Sequence, residues 1–267
     1  MSFLRLLPLL LCLLALPLVL SGCRSTSDEE PAAEESPADT AVAAARTPST
    51  WSYGGDTGPA AWASLDAAYK ACAGTRQSPV ALTADDDAQE VDIELDYEPA
   101  QGTLFDTGHL VQLNVEGGTM TIDGKAFALK QFHFHTPAEH TLDGTIYPAE
   151  AHLVHVAEDG ELAVLGIIYE EGNASTVLAP VWTDLANIPR AAPMTINVAD
   201  MLPSSRVAYT YTGSLTTPPC SEGVRWHVMA QPLTMSAQQL AALTAIYDNN
   251  NRPVQPLNDR DLDRVTL

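Results

Sequence analysis

Two short runs of this 267-residue chain place histidines at a spacing that suits a metal ion. They are residues 131–135, QFHFH, and residues 150–155, EAHLVH. Side chains of a strand alternate between its two faces, so His133 and His135 point one way and the phenylalanines the other. A paired strand then needs only His152 to add a third imidazole. Three neutral imidazoles with an open fourth position form a catalytic zinc site, whereas four protein ligands form a structural one.

Polar neighbours strengthen this prediction. Gln131 can accept a hydrogen bond from the far nitrogen of His133, and Glu150 can do the same for His152. Such partners fix the tautomer and the orientation of a ligating ring, and a carboxylate among apolar strand residues is costly without one. His155 has the opposite parity to His152 and is predicted to be a packed, structural histidine. Taken alone, a His-x-His pair also fits hydrogen-bonded core histidines.

Further segments make the sequence resemble the α-class carbonic anhydrases, in family order from about residue 51 onward. They are WSYG at 51–54, QSPV at 77–80, TGH at 107–109, AEH at 138–140, LAVLG at 162–166, SLTTPPC at 214–220 and NNRPVQPL at 250–257. The resemblance implies a mainly β fold, a single large twisted mixed β-sheet with short surface helices. It also implies a zinc lyase that reversibly hydrates CO2 to bicarbonate and a proton through zinc-bound hydroxide. Carbonic anhydrase is itself the reference case for zinc lowering the pKa of bound water to about 7.

The resemblance also assigns individual roles. The three imidazoles become the zinc ligands: His133, His135 and His152. Thr216 is then the residue that orients the hydroxide, with ionised Glu139 accepting the threonine proton. His109 is the expected shuttle that relays a proton to bulk water.

The surroundings of His109 depart from the pattern of many animal members of the family. The residue follows Gly108 at a strand entry, which suits an exposed ring. Thr107 stands where those members carry Asn, and Leu110 and Gln112 follow the histidine. The water chain to His109 is therefore expected to differ, and the efficiency of the shuttle with it.

The remaining positions that the resemblance implies line or support the pocket. The predicted substrate-binding residues are Val154, Val164, Leu215, Thr217 and Trp226. Of these, Val154 also shares parity with His152, whereas on sequence alone the apolar members fit simple core packing. Tyr53 matches a rim position, and Asn250 a position whose backbone carbonyl supports the second histidine. Cys72 and Cys220 are expected to form a disulfide, as in secreted members, which braces the loop that carries Thr216.

The N-terminus has the features of an export segment rather than of a fold. Arg5 precedes an apolar run at 6–20 that two prolines interrupt, and LSGC at 20–23 resembles a bacterial lipobox. We expect a lipoprotein signal peptide at 1–22, lipidation at Cys23, and a catalytic domain anchored to a bacterial membrane, facing the periplasm or the cell surface. Arg24 favours the outer membrane. The alternative is an ordinary secretory signal cut near Gly22.

Composition narrows the remaining possibilities. Apart from Cys23, residues 23–50 are mostly Ser, Thr, Ala, Pro, Asp and Glu, with almost no large apolar side chain, and are predicted to be a disordered tether. Residues 51–267 suit one domain. The formal net charge is −21, from 34 acidic and 13 basic residues, so a nucleic-acid partner is not expected.

The oligomeric state is open, and a dimer is possible. Two rival functions are a binding module that has lost catalysis and a zinc esterase.

The secondary-structure pattern is dominated by strands. We predict them at 91–97, 109–115, 119–122, 126–135, 150–156, 162–169, 194–197, 207–211 and 224–229. Two helices are predicted, at 175–186 and 237–247. The second begins with a capping box, in which Ser236 and Gln239 satisfy each other's free N–H groups.

Overall fold

The computed structural model describes residues 50–83, 87–185, 188 and 193–267. The segment Thr47–Leu267 forms one compact unit. The predicted signal peptide at 1–22, the lipidation site Cys23 and the tether up to residue 49 lie outside the described residues. Within the described ranges, no helix has the length and apolar character needed to cross a bilayer.

The described part of the chain is mainly β, as expected. Thirteen strands join one mixed sheet, whose main path runs β12-β4-β5-β7-β10-β11-β14-β13-β16-β2, and β1, β8 and β9 form a small second sheet. The strands are β1 Ala81–Leu82, β2 Gln89–Glu90, β3 Ile93–Asp96, β4 Pro99–Asp106, β5 Val111–Glu116, β6 Thr119–Ile122, β7 Lys125–His135, β8 Thr141–Leu142, β9 Thr145–Ile146, β10 Ala149–Ala157, β11 Leu162–Glu171, β12 Met194–Asn197, β13 Val207–Ser214, β14 Glu222–Met229, β15 Leu233–Met235 and β16 Asp263–Thr266.

Strand register brings the histidine runs together. Strand β10 pairs antiparallel with β7, and His152 lies directly opposite His133. Because side chains alternate, one face of this pair carries His133, His135 and His152, and we call it the site face. The opposite face, which we call the core face, carries Phe132, Phe134 and Leu153, which belong to the large apolar cluster of the protein.

A β-bulge limits the reach of simple alternation. The β7 partner changes from Gln131, opposite Val154, to Leu129, opposite His155, so that Lys130 is skipped. An extra residue reverses the side-chain parity along a strand. Leu129 accordingly packs with the core-face cluster although it shares odd parity with Gln131.

Helices are short. They are α1 Trp62–Leu65, α2 Ala179–Asp184 and α3 Ala237–Thr244, with 3₁₀ turns at Gly55–Thr57, Ala67–Ala73 and Val198–Met201. The predicted capping box of α3 is present: Ser236 Oγ accepts from Gln239 N at 3.2 Å, and Gln239 Oε1 accepts from Ser236 N at 3.1 Å. Both predicted helices exist but are shorter than the patterns at 175–186 and 237–247 indicated.

Every predicted strand is present, with ends shifted by a few residues, but β1, β2, β4, β8, β9, β15 and β16 were not predicted. The longest of these seven is β4. Its pattern is weakened by Pro99 at its start and Gly102 at a buried position. A Cβ at Gly102 would lie 2.8 Å from Leu113 Cδ2. The close approach of the neighbouring strand thus requires the glycine, and removes the apolar signal that would have revealed the strand.

Candidate active site

Three buried imidazoles converge on the site face. His133, His135 and His152 can each place one ring nitrogen within 4.8 Å of the others. His135 Nε2 is buried and has no hydrogen-bond partner among the described residues. A buried polar atom without a partner is costly unless a ligand satisfies it. This donor set therefore fits a bound metal ion.

Each imidazole is fixed through its other nitrogen. His133 Nδ1 lies 2.8 Å from Gln131 Oε1, and His152 Nε2 lies 2.9 Å from Glu150 Oε1. The third ring is held by main chain: His135 Nδ1 lies 2.7 Å from the carbonyl oxygen of Asn250. The structure thus places Gln131, Glu150 and Asn250 beside the three rings. The nitrogens left free to face one another are Nε2 of His133, Nε2 of His135 and Nδ1 of His152.

Electrostatics keep the three rings neutral. Burial lowers the pKa of His135 to about 4. Burial also lowers the pKa of His133 well below its ordinary value, and the neighbouring imidazoles His135 and His152 lower it further. The pKa of His152 is lowered by burial as well, against the opposing effect of Glu150. Neutral imidazole is the form that binds a metal.

Glu150 is a fully buried carboxylate with four donors. Its Oε2 accepts from the backbone N–H groups of Glu139 and His140, both at 2.9 Å, and its Oε1 lies within 2.9 Å of nitrogens of His140 and His152. Burial by itself raises the pKa of Glu150, but the two imidazoles outweigh it and hold the pKa well below the usual range. The anion behind His152 is therefore stable.

A hydrogen-bonded chain continues behind Glu150. His140 Nε2 lies 2.7 Å from Tyr211 Oη, which donates to Ser78 Oγ at 2.9 Å. Sequence reasoning assigned no role to Tyr211 or Ser78. The available signal for Tyr211 was its alternation with the buried residues of β13. Its hydrogen-bond partners could not be inferred, because they lie in segments more than 70 residues away.

Glu139 links the histidines to the loop that carries Thr216. Its Oε1 accepts from Arg252 N at 2.7 Å, and its Oε2 lies 3.5 Å from His135 Nε2. Burial raises the pKa of Glu139 to about 7, against the lowering effects of His152, the Arg252 N–H and the Thr216 hydroxyl. Thr216 thus affects Glu139, but Glu139 Oε2 has no hydrogen-bond partner among the described residues, so the pairing of the two side chains stays a prediction.

A cavity of about 230 Å³ opens above the imidazoles. All five predicted substrate-binding residues line it: Val154, Val164, Leu215, Thr217 and Trp226. Thr216, His133, His152 and Gln131 line it too. Sequence reasoning did not place Leu110, just before β5, or Gln112, within β5, on this wall. The arrangement sets an apolar wall opposite a polar, metal-binding base.

The environment of His109 differs from the expectation of an exposed ring. His109 is half-buried rather than exposed: its ring stacks on Trp51 with centroids 3.7 Å apart, and its Nε2 lies 3.0 Å from the carbonyl oxygen of Trp51. Tyr53 packs edge-on against Trp51 and Trp62, and its hydroxyl is buried without a partner in the described ranges. The physical reason is an aromatic cluster that the N-terminal segment of the domain builds against the rim.

The predicted disulfide is present between Cys72 and Cys220, which are 148 residues apart in sequence. Cys220 N donates to Thr217 O at 2.8 Å, and the Cys72 carbonyl accepts from Arg252 Nη2 at 2.9 Å. The cross-link therefore braces both the loop of Thr216 and the segment that contacts Glu139.

Comparisons with known proteins agree on one family. The sequence profile of eukaryotic-type carbonic anhydrases matches residues 57–265. A carbonic anhydrase of Pectobacterium atrosepticum is 40% identical over 216 residues, which cover 79% of this chain and 88% of that protein. Among solved structures, an α-carbonic anhydrase of Photobacterium profundum is 43% identical with a TM-score of 0.73, covering 80% of this chain and 99% of that one. An α-carbonic anhydrase of Thermovibrio ammonificans, solved with the inhibitor sulfanilamide, is 38% identical with a TM-score of 0.74, covering 80% and 99%.

Proposed function

This chain belongs to the eukaryotic-type, or α, carbonic anhydrase family, and from that premise we propose that it hydrates CO2 with a zinc ion held by His133, His135 and His152. The observation that carries the proposal is the convergence of three neutral, buried ring nitrogens at the base of a partly apolar cavity. Zinc bound by three imidazoles supplies Lewis-acid chemistry and a low pKa for bound water, for which carbonic anhydrases are the reference case.

Thr216 and Glu139 orient the attacking water. An ionised Glu139 can only accept a hydrogen bond, so the Thr216 hydroxyl donates its hydrogen bond to Glu139 and turns an oxygen lone pair toward the water. The water is then held with its own lone pair directed at CO2, which lowers the entropic cost of the attack. Burial raises the pKa of Glu139 to about 7, and a cation bound beside it would lower this pKa, so that Glu139 is ionised in the working site.

The apolar wall receives the substrate. CO2 carries no net charge and suits an apolar surface. Such a surface is offered by Val154, Val164, Leu215 and Trp226, and these side chains hold no hydrogen-bonded water that CO2 would have to displace. Thr217 lies beside Thr216 at the edge of this wall. Bicarbonate is anionic and more strongly hydrated, so the same wall favours its departure.

Hydration also releases a proton, which must reach bulk solvent. His109 is the proposed carrier, because an imidazole can both accept and release a proton near neutral pH. Its ring lies at the rim, against Trp51.

The cellular place of the protein is proposed on the sequence alone. LSGC at residues 20–23 supports lipidation of Cys23, with residues 1–22 as signal peptide and residues 24–50 as a tether to a catalytic domain at 51–267. The domain then faces the periplasm or the cell surface, with the outer membrane favoured by Arg24. Labelling cells with radioactive palmitate tests this: the label should appear on the wild type and disappear in Cys23→Ala, and equal labelling of both contradicts the anchor.

Stopped-flow CO2 hydration by the unit 47–267, with zinc measured on the same sample, tests the enzyme. We expect fast hydration at one zinc per chain. Full zinc occupancy without hydration would reject the enzymatic proposal and favour a binding module. Faster cleavage of activated esters than hydration of CO2 would favour the esterase alternative.

A further inference from the structure

The wall of the cavity next to His109 is formed by Leu110. Leu110 lines the cavity, whereas the His109 ring stacks on Trp51, with Nε2 directed to the carbonyl oxygen of Trp51. Leu110 is only 9% exposed although it precedes the strand. Gly108 and His109 form a bend ahead of β5. At this corner the cavity wall therefore includes Leu110 but not His109.

The backbone of this segment is fixed by several side chains. Thr107 Oγ1 accepts from Leu110 N at 3.0 Å and from His109 N at 3.3 Å. Asn250 Nδ2 donates to the His109 carbonyl at 3.2 Å, and Asp106 Oδ1 accepts from Gly108 N at 2.8 Å. Because the backbone is held at four points, the leucine cannot be exchanged for the histidine by a small shift of the loop.

An aliphatic wall is a poor support for proton transfer. A leucine side chain has neither donor nor acceptor, and an ordered water needs about two to four polar partners. The polar groups of the cavity wall come from other residues, such as Gln112 and Thr217. Leu110 therefore adds no polar group to the part of the cavity wall beside His109.

We propose that Leu110 is a positioning residue that restricts proton export, by separating His109 from the cavity and keeping its ring against Trp51. This inference rests on the proposed function and adds a consequence to it. Turnover in weak buffer is limited by the slow escape of the proton, and small diffusible bases such as imidazole enter the cavity and carry the proton in place of His109.

The test separates two kinetic constants. The value of kcat/KM reports the steps up to release of bicarbonate, whereas kcat also includes proton export. In weak buffer, Leu110→Ala should raise kcat by about tenfold and leave kcat/KM unchanged. Added imidazole should raise the kcat of the wild type strongly and that of Leu110→Ala only slightly. In the double variant Leu110→Ala/His109→Ala, the gain in kcat should disappear.

Two variants control for other effects. Leu110→Ile keeps the aliphatic bulk and should behave as the wild type. Val111→Ala removes an apolar side chain of the core cluster at the next position of the chain and should lower the melting temperature without changing the response to buffer. If Leu110→Ala does not fold, Leu110→Val should show a smaller gain in the same direction.

The outcomes distinguish the inference from the proposed function. An unchanged kcat and an unchanged imidazole response in Leu110→Ala, at normal kcat/KM, overturn the role of Leu110 alone. A gain that persists in the double variant also overturns it, because the proton then leaves by a route without His109. A wild type with bound zinc and no hydration overturns the proposed function itself.

Discussion

The two faces of strands β7 and β10 are both buried, yet they are stabilised in different ways. The core face packs Phe132, Phe134 and Leu153 into an apolar cluster, where contact area and tight packing provide the stabilisation. The site face buries histidines and Glu150, where each polar atom needs a partner. Residues only one position apart in sequence therefore contribute to two different properties, stability on one face and chemistry on the other.

The histidines show the difference most directly. On the site face, one nitrogen of each ring is held by Gln131, Asn250 or Glu150, and the free nitrogens converge. His155 has the opposite orientation and bonds Tyr97 Oη at 2.9 Å, and His227 is buried without a partner among the described residues. Burial alone does not make a histidine a metal ligand. The ring must also be oriented by a hydrogen-bond partner, and its free nitrogen must converge with those of other rings.

The largest expected effect on activity comes from replacing one histidine on each face by alanine and comparing the two variants. His152→Ala should lose zinc and reduce kcat/KM by 10³-fold or more, roughly the loss for a group that acts as part of a unit. His155→Ala should keep one zinc per chain and normal activity, with a lower melting temperature. Metal analysis and CO2 hydration on both variants check this, and loss of zinc from His155→Ala would remove the distinction between the faces.

Truncating a large apolar side chain on the core face tests whether that face provides stability rather than chemistry. Phe132→Ala should lower the free energy of unfolding by about 3–5 kcal/mol, because it removes a fully buried ring. Zinc stoichiometry and kcat/KM of the folded fraction should not change. Urea unfolding monitored by tryptophan fluorescence gives the first quantity. Altered zinc affinity in this variant would mean that the two faces are coupled through the strand.

Removing the charge of Glu150 should weaken the metal site without abolishing it. Glu150→Gln replaces an acceptor of four hydrogen bonds by an amide with one acceptor oxygen, so the His152 ring is held less well. We expect zinc affinity to fall by about 10- to 100-fold. Competition with a chelator measures it, and Glu170→Gln at an exposed position is the matched control, for which the affinity should stay the same.

Lowering the pH should decrease the free energy of unfolding through two buried histidines outside the site, His155 and His227. Burial lowers the pKa of His155 and of His227 to about 4, with Arg225 also lowering that of His227. Below a pH of about 6.5 the unfolded chain binds protons that the folded protein does not, so stability is complete above that pH and falls as the pH drops toward 4. At pH 5 the loss is roughly 2 kcal/mol for each histidine. His227→Leu should show a smaller loss between pH 7 and 5 in urea unfolding; an equal loss would contradict the assignment.

The ligand set was predictable because it depends on local alternation. His133, His135 and His152 follow from parity within two strands, and Gln131 and Glu150 lie two residues from the rings that they hold. The roles that the family resemblance implied for Asn250 and Thr216 depend on distant segments, and no local pattern reveals them. Tyr211, Ser78 and the stacking of His109 on Trp51 were missed for the same reason.

Parity also fails where the backbone is irregular. Lys130 forms the bulge in β7, and upstream of it the alternation is reversed, which the residues themselves do not signal. In β4, Gly102 provides space for Leu113 and thereby hides the strand. Both errors arise because a property of the neighbouring strand, not of the segment itself, decides the local structure.

The segment around Asn250 and Arg252 has a consequence for the biogenesis of the protein. It has no regular secondary structure, yet it holds His135 and Thr136 through Asn250, and Glu139 and Cys72 through Arg252. A nascent chain that ends near residue 245 already contains all three imidazoles and nearly the whole sheet. It still lacks the carbonyl oxygen of Asn250 that holds His135 and the Arg252 N–H that holds Glu139, so the site is complete only once residues 250–252 have been translated.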